Sequence, residues 1–266
     1  MPTAISVVTL LTDFGDRDPF VASMKGVILG INPQARIVDL SHQIAPQQIE
    51  DAAYVLKSAY RYFPDGSIHV VVVDPGVGSS RRPLLVTTSR YFFLAPDNGL
   101  LTDLYQEELS VEVRQLENRQ YRLDSEGSTF EGRDVFAPAA AWLTRGQAPG
   151  SFGRLVRDVV RLPRQEPGWQ KQTFVGRIAY VDRFGNLISN MTPLHLKEVQ
   201  GVSKRSHITI RLAGITIEGL TACYADGHPG APHALINSNG ELEIFVKEGS
   251  AADVIKAGRG ERIELS

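Results

Sequence analysis

The sequence predicts an α/β fold in two parts: an N-terminal α/β domain with a largely parallel sheet over residues 1–163, and a smaller antiparallel β domain over 172–266. Three observations predict it. Before residue 161, short apolar runs rich in β-branched residues alternate with segments of helical periodicity, the pattern of βαβ units. Between residues 161 and 171 two prolines, a glycine and several charges break every period, and 164–171 reads as the linker. Beyond it, short strand-like runs separated by turns such as Ala213-Gly214 and Asn239-Gly240 take the place of helices.

In order, residues 5–11 read as the first strand, Phe20–Ile31 as a helix, 37–40 as a strand, 49–62 as a helix and 68–73 as a strand. The run Ile68-His-Val-Val-Val-Val73 is almost continuously β-branched, which suits a central strand covered on both faces. Another strand is expected at 91–94, and a helix from Ala139 to Trp142. In the second half, 174–181, 207–212, 215–220, Leu242–Val246 and Arg262–Leu265 read as strands of a small antiparallel barrel or sandwich.

Composition narrows the function classes. With 28 Lys+Arg against 30 Asp+Glu the formal charge is −2, so no bulk field favours nucleic acid or an anionic membrane, and a small-molecule partner is expected. A single cysteine, Cys223, excludes an intramolecular disulfide and argues against a cysteine-based metal site; it reads as a core filler. No long apolar run occurs and the first residues lack a basic, then apolar, leader pattern, so a cytoplasmic protein is expected.

In open α/β sheets ligands bind beyond the carboxyl ends of the strands, which draws attention to the polar residues that follow each one. After the first strand comes Thr12-Asp13-Phe14-Gly15; Asp13 either accepts hydrogen bonds from a vicinal diol or caps the next helix. No Gly-x-Gly-x-x-Gly or Gly-x4-Gly-Lys-Ser/Thr loop accompanies it, which disfavours pyrophosphate. After the β-branched strand comes Asp74-Pro-Gly-Val-Gly78-Ser-Ser-Arg81, where Asp74 and Arg81 either lock the loop as an ion pair or converge on one small molecule. A third segment, Thr129-Phe-Glu-Gly-Arg-Asp134, sets Glu131, Arg133 and Asp134 beside Gly132 ahead of a helix. Arg133 and Asp134 there read as a helix-start charge pair.

These motifs, with Met24-Lys25-Gly26, Ala95-Pro-Asp-Asn-Gly99, Asp182-Arg-Phe-Gly-Asn186 and Ile236-Asn-Ser-Asn-Gly240, occur in an order that resembles the S-adenosyl-L-methionine hydroxide adenosyltransferase family, relatives of the fluorinases and chlorinases. The resemblance runs from about residue 7 to the end. It implies a C-terminal β-barrel, a homotrimer with sites between subunits, and hydrolysis of S-adenosyl-L-methionine to adenosine and L-methionine. It implies no cofactor and no metal, since S-adenosyl-L-methionine is the substrate.

By position, Asp13 would bind the ribose hydroxyls, and Asp74 and Arg81 match two of three water-activating residues. Asp182 and Ser238 match contacts to the methionine end, with Asn239 beside them. Asn186 and the backbone near Gly249 match adenine contacts, and Tyr224 falls where an aromatic stacks. Asn98, Phe130, Gly132 and Phe184 lie in the same motifs and join the substrate-binding set. One position departs from the pattern: Glu131 stands where the family has histidine. Glu131 then either shares a water with Asp74 or satisfies Arg81 or Arg133 in an ion pair. Two other functions stay open: a non-catalytic sensor of adenosine or S-adenosylmethionine, and a halogenase. An ionised Asp74 near the reacting carbon would oppose halide approach by ~1–4 kcal/mol.

Overall fold

A computed structural model describes residues 7–203 and 207–266, which divide into two compact units that meet between residues 162 and 163. The strand expected at 5–11 begins outside the described residues and is observed from Val7.

The first unit contains β1 (Val7–Thr12), α1 (Phe20–Ile31), β2 (Arg36–Ser41), α2 (Ile49–Ala59), β3 (Ile68–Val72), β4 (Pro83–Thr87), β5 (Phe92–Pro96), α3 (Leu104–Glu107), β6 (Glu112–Gln115) and α4 (Ala137–Thr144). Its sheet runs β2-β1-β3-β5-β4-β6; the first four strands are parallel, while β4 and β6 pair antiparallel. The two-residue period of β1 and β3 sorts their side chains onto two faces. Val8, Leu10, Val70 and Val72 pack under α1 and α4, whereas Leu11, Val71 and Val73 pack under α2, so all of β3 is buried. Helix α1 turns Val21, Met24 and Ile28 inward at helical spacing, and its terminal Asn32 Nδ2 donates to Thr144 Oγ1 of α4 at 2.8 Å.

The strand order has a consequence for function. The chain leaves β1 toward β2 on one side and returns to β3 on the other, so the topological switch point, where a crevice opens, lies beyond the carboxyl ends of β1 and β3. Thr12 pairs in register with Val72, so Asp13 and Asp74 both follow the ends of these neighbouring strands at that point.

His69 on β3 is wholly buried, its Nδ1 2.8 Å from Thr9 Oγ1 of β1 and its ring stacked on Phe93 with centroids 5.0 Å apart. Burial pushes its pKa down to about 3. The unfolded chain takes up this proton near pH 6.5 and the folded chain does not. The contribution of this neutral histidine is therefore fully present above about pH 6.5 and is lost as pH falls toward 3, at ~1.4 kcal/mol per pH unit. Urea midpoints taken between pH 7 and 5 should show a steeper acid loss for the parent than for His69→Phe.

The second unit is antiparallel: β7 (Gly168–Gln170), β8 (Thr173–Val181), β9 (Leu187–Ser189), α5 (Pro193–Ser203), β10 (Thr209–Leu212), β11 (Ile215–Glu218), β12 (Pro232–Ile236), β13 (Leu242–Val246), α6 (Ala251–Ile255) and β14 (Arg262–Leu265). Strand order is β11-β10-β14-β8-β9-β13-β12, with β7 beside β8, and Thr221 N–H donates to Ala234 of β12 at 2.8 Å just past β11, which nearly closes a barrel. Three expectations change here. Residues 168–170, read as linker, form a strand against β8. Helix α5 interrupts a stretch read as strands and turns only, anchored by Leu196 and Val199 in the barrel core. Cys223, read as a core filler, is exposed, because it rides on a loop outside the barrel rather than on a strand facing inward.

Candidate active site

Asp13 leaves the end of β1 half-buried, and its Oδ2 accepts the Gln47 N–H at 2.8 Å. Helix α1 starts only at Phe20 behind Pro19, so Asp13 is not its cap. Gly15 holds φ +65° and donates its N–H to the His42 carbonyl at 2.8 Å, turning the chain back against the segment after β2.

Beyond β3, Asp74 opens a tight loop in which Val77 N–H donates to its carbonyl at 3.2 Å. The loop brings Arg81 back onto it. Arg81 Nε donates to Asp74 Oδ1 at 3.0 Å and Nη2 to Oδ2, a bidentate pair, while Nη1 donates to Glu131 Oε2 at 2.5 Å. Side-chain exposure is 5% for Asp74, 9% for Arg81 and 19% for Glu131, so one largely buried guanidinium is shared by two carboxylates. Burial opposes the charge of Arg81, but its bonds to Asp74 and Glu131 prevail and hold its pKa above the ordinary value. Arg133 does not compete for Glu131: its Nε and Nη2 lie 2.6 and 3.0 Å from the two oxygens of Asp134.

Glu131 precedes a π-helical turn, Gly132–Phe136, that leads into α4; such turns recur at functional sites. Phe130 meets Phe14 and Phe20 edge-on at 5.8 and 5.2 Å, and the Arg133 guanidinium lies over its ring at 5.1 Å. A Cβ at Gly132 would come within 3.2–3.3 Å of Met24, Phe130 and Phe14, so the close aromatic packing depends on its absence. Asn98 faces its own unit, with Nδ2 donating to the Val73 carbonyl at 2.9 Å and Oδ1 accepting Leu100 N–H at 3.2 Å.

In the second unit, Asp182 Oδ1 accepts Phe184 N–H at 2.9 Å and Asn186 N–H at 2.8 Å, while Oδ2 accepts Asn186 Nδ2 at 2.9 Å. A carboxylate offers about four acceptor directions, so roughly one remains for a ligand. Gly185 holds φ +79°, and a Cβ there would sit 2.1 Å from Ser250 Oγ, so only glycine lets this loop reach the start of α6. Gly249 N–H is taken by the Val246 carbonyl at 3.2 Å. Asn186 is buried and Phe184 is 77% exposed; Ser238 and Asn239 are exposed at the tip of the β12–β13 hairpin. Tyr224 is half-exposed, packs edge-on against Phe245 with centroids 5.0 Å apart, and donates its O–H to Glu243 Oε1 at 2.7 Å.

Residues 8–153 match the model of the SAM hydroxide adenosyltransferase N-terminal domain, and residues 176–264 that of the C-terminal domain. The chain belongs to the SAM hydroxide adenosyltransferase family. A protein of Thermus thermophilus named (R)-S-adenosyl-L-methionine hydrolase is 34% identical, with 97% of this chain and 98% of that one covered. One of Salinispora arenicola with the same name is 31% identical, covering 97% of each. A crystal structure of an uncharacterized conserved protein from Thermotoga maritima superposes with a TM-score of 0.88 at 32% identity, over 97% of this chain and 99% of that one.

In this chain the residues singled out by sequence fall into two groups. The first unit brings together Asp74, Arg81 and Glu131, sets Asp13 just past the end of the strand that pairs with β3, and surrounds Gly132 with Phe14 and Phe130. In the second, Asp182 and Asn186 bond directly, and the charge of Asp182 acts on Tyr224. Two residues were missed. Glu243, on β13, is 3% exposed; burial pushes its carboxyl up, hydrogen bonds with Tyr224 and Asn237 act the other way, and the charges of Asp182 and Glu241 add to the rise. The available signal was a lone acid inside the apolar run Leu242-Glu-Ile-Phe-Val246. His42, which stands in none of the motifs, bonds to the end of β1.

Proposed function

We infer that this chain hydrolyses S-adenosyl-L-methionine to adenosine and L-methionine. The reading rests on the buried Asp74–Arg81–Glu131 cluster at the sheet's switch point, in a family whose curated relatives carry the hydrolase name. The relatives' name specifies the (R) form, and that sulfonium epimer is the proposed substrate.

Water attacks the ribose C5′, the new C–O bond forms as the C5′–S bond breaks, and the bonding pair passes to sulfur. The sulfonium leaves as a neutral thioether, so departure needs no general acid, and the reaction as written needs no cofactor. The water proton passes to Asp74 and then to solvent, so each turnover releases one proton. A positioned base of this kind contributes roughly 10²–10⁴-fold. Arg81 orients Asp74 and attracts the developing hydroxide, and Glu131 completes the cluster through Arg81. Asp13 takes the ribose hydroxyls; Asn186 and the backbone at Gly249 take adenine, with Tyr224 stacked nearby. Asp182 and Ser238 hold the methionine end, while Asn98, Phe130, Gly132, Phe184 and Asn239 line the ligand. The proposal includes a cytoplasmic location, and no helix among the described residues is long and apolar enough to cross a membrane.

Incubation with each sulfonium epimer, followed by chromatography, tests the activity: adenosine and methionine in equal amounts are expected from the (R) form. Binding without products would establish the sensor instead. Halide-dependent formation of a 5′-halogenated nucleoside would establish the halogenase. Dialysis against a chelator should leave the rate unchanged.

The homotrimer is part of the same proposal, with each site assembled from residues of two subunits. Mixing inactive Asp74→Asn and Asn186→Ala chains after dissociation should restore measurable turnover. No recovery in verified mixed oligomers would rule out a shared site.

A further inference from the structure

His42 lies on the segment after β2, with a side chain only 12% exposed, and its two ring nitrogens face different groups. Nδ1 is 2.9 Å from Thr12 Oγ1, the last residue of β1. Nε2 is 3.0 Å from Asp39 Oδ1, within ion-pair distance though outside the alignment of a hydrogen bond, and Asp39 Oδ2 accepts Lys25 Nζ at 2.6 Å. The directions of donation follow from chemistry. The Asp39 carboxylate facing Nε2 favours the proton of a neutral ring on that nitrogen, which leaves Nδ1 to accept the Thr12 hydroxyl hydrogen while Thr12 Oγ1 accepts the Phe14 N–H at 3.2 Å. The backbone of His42 acts as well, since its carbonyl accepts Gly15 N–H at 2.8 Å. His42 thus grips the chain at residue 12 by its ring and at residue 15 by its backbone, on either side of Asp13. Five residues on, Gln47 holds the left-handed φ of +68° that non-glycine residues rarely adopt and gives its N–H to Asp13 Oδ2.

We propose that His42 is a positioning residue that holds Asp13 in the orientation needed to accept two ribose hydroxyls, with Thr12 as the link and Asp39–Lys25 as the anchor. The proposal rests on the reading of Asp13 as the ribose contact. A carboxylate takes both hydroxyls of a diol only when each lies at hydrogen-bond distance and near its lone-pair directions. A loop free to turn about residue 13 loses that alignment while the reacting centre at Asp74 is untouched. Lys25 and His42, which no step of the reaction uses, thereby acquire a role.

The test is the ratio of inhibition constants for 2′,3′-dideoxyadenosine and adenosine, read beside KM and kcat for S-adenosyl-L-methionine. The parent should favour adenosine by at least about tenfold, and Asp13→Ala should abolish the preference. His42→Phe should collapse the ratio toward unity and raise KM about tenfold with kcat changed less than about threefold. His42→Asn, whose amide oxygen takes the place of Nδ1, should restore most of the preference. Thr12→Val removes the linking hydroxyl, and with it the acceptor of the Phe14 N–H, and should reproduce the His42→Phe ratio; it also carries the test if His42→Phe does not fold. An unchanged ratio in His42→Phe or Thr12→Val beside a collapsed one in Asp13→Ala overturns the positioning role alone. An unchanged ratio in Asp13→Ala overturns the ribose assignment and this proposal with it.

Discussion

Asp74→Asn is expected to lower turnover by at least ~10²-fold while S-adenosyl-L-methionine still binds. The amide keeps the size of the carboxylate but cannot accept the water proton. It also spoils the bidentate pair, because its NH2 would face one of the two Arg81 donors that now bind Asp74. Single-turnover chemistry isolates the catalytic loss, and calorimetric titration with substrate shows whether binding survives. Turnover equal to the parent would remove Asp74 from the mechanism. Glu131→Gln separates the two carboxylates. If Glu131 acts only through its 2.5 Å bond to Arg81, the neutral amide still accepts that bond and the rate falls far less than for Asp74→Asn. A comparable loss would place the second carboxylate on the water.

Arg81→Leu should destabilise the folded chain by about 3–5 kcal/mol and abolish activity, because it leaves two largely buried carboxylates with no counter-charge. Glu131 retains some access to water, which places the expected value toward the lower end of that range. The control is the triple variant Arg81→Leu/Asp74→Asn/Glu131→Gln. Removing all three charges removes their desolvation cost together, so the triple should recover most of the lost stability while staying inactive. Urea midpoints with matched slopes measure both. A loss below about 1 kcal/mol for Arg81→Leu would mean that solvent screens the cluster as it does a surface pair.

What the sequence by itself determined was local. Helix α1 was legible to the residue because Val21, Met24 and Ile28 recur at helical spacing, and β3 was legible because five buried residues in a row are nearly all β-branched. The ordered motifs pointed to the family and to the positions of Asp13, Asp74 and Arg81. Helix α5 escaped notice because its stripe is thin: Leu196 and Val199 are buried, whereas Leu194 and Val202 are exposed, so burial and hydrophobicity part company along it.

Only the tertiary structure decided which charges meet. Glu131 had two arginines within reach of a sequence argument; the chain folds so that Arg81, fifty positions away, takes it and Arg133 turns to Asp134. The segments that begin at Asp13 and Asp74 follow neighbouring strands only through the order β2-β1-β3, and the Glu243 carboxylate meets the Tyr224 hydroxyl only because the fold brings a separate loop to β13. The division has one physical cause. Side-chain periodicity records the burial of a segment against whatever lies beneath it, and that can be read from the segment alone. Ion pairs and hydrogen bonds depend on distance in space over a few ångströms, and that distance exists only after the sheet has chosen its strand order.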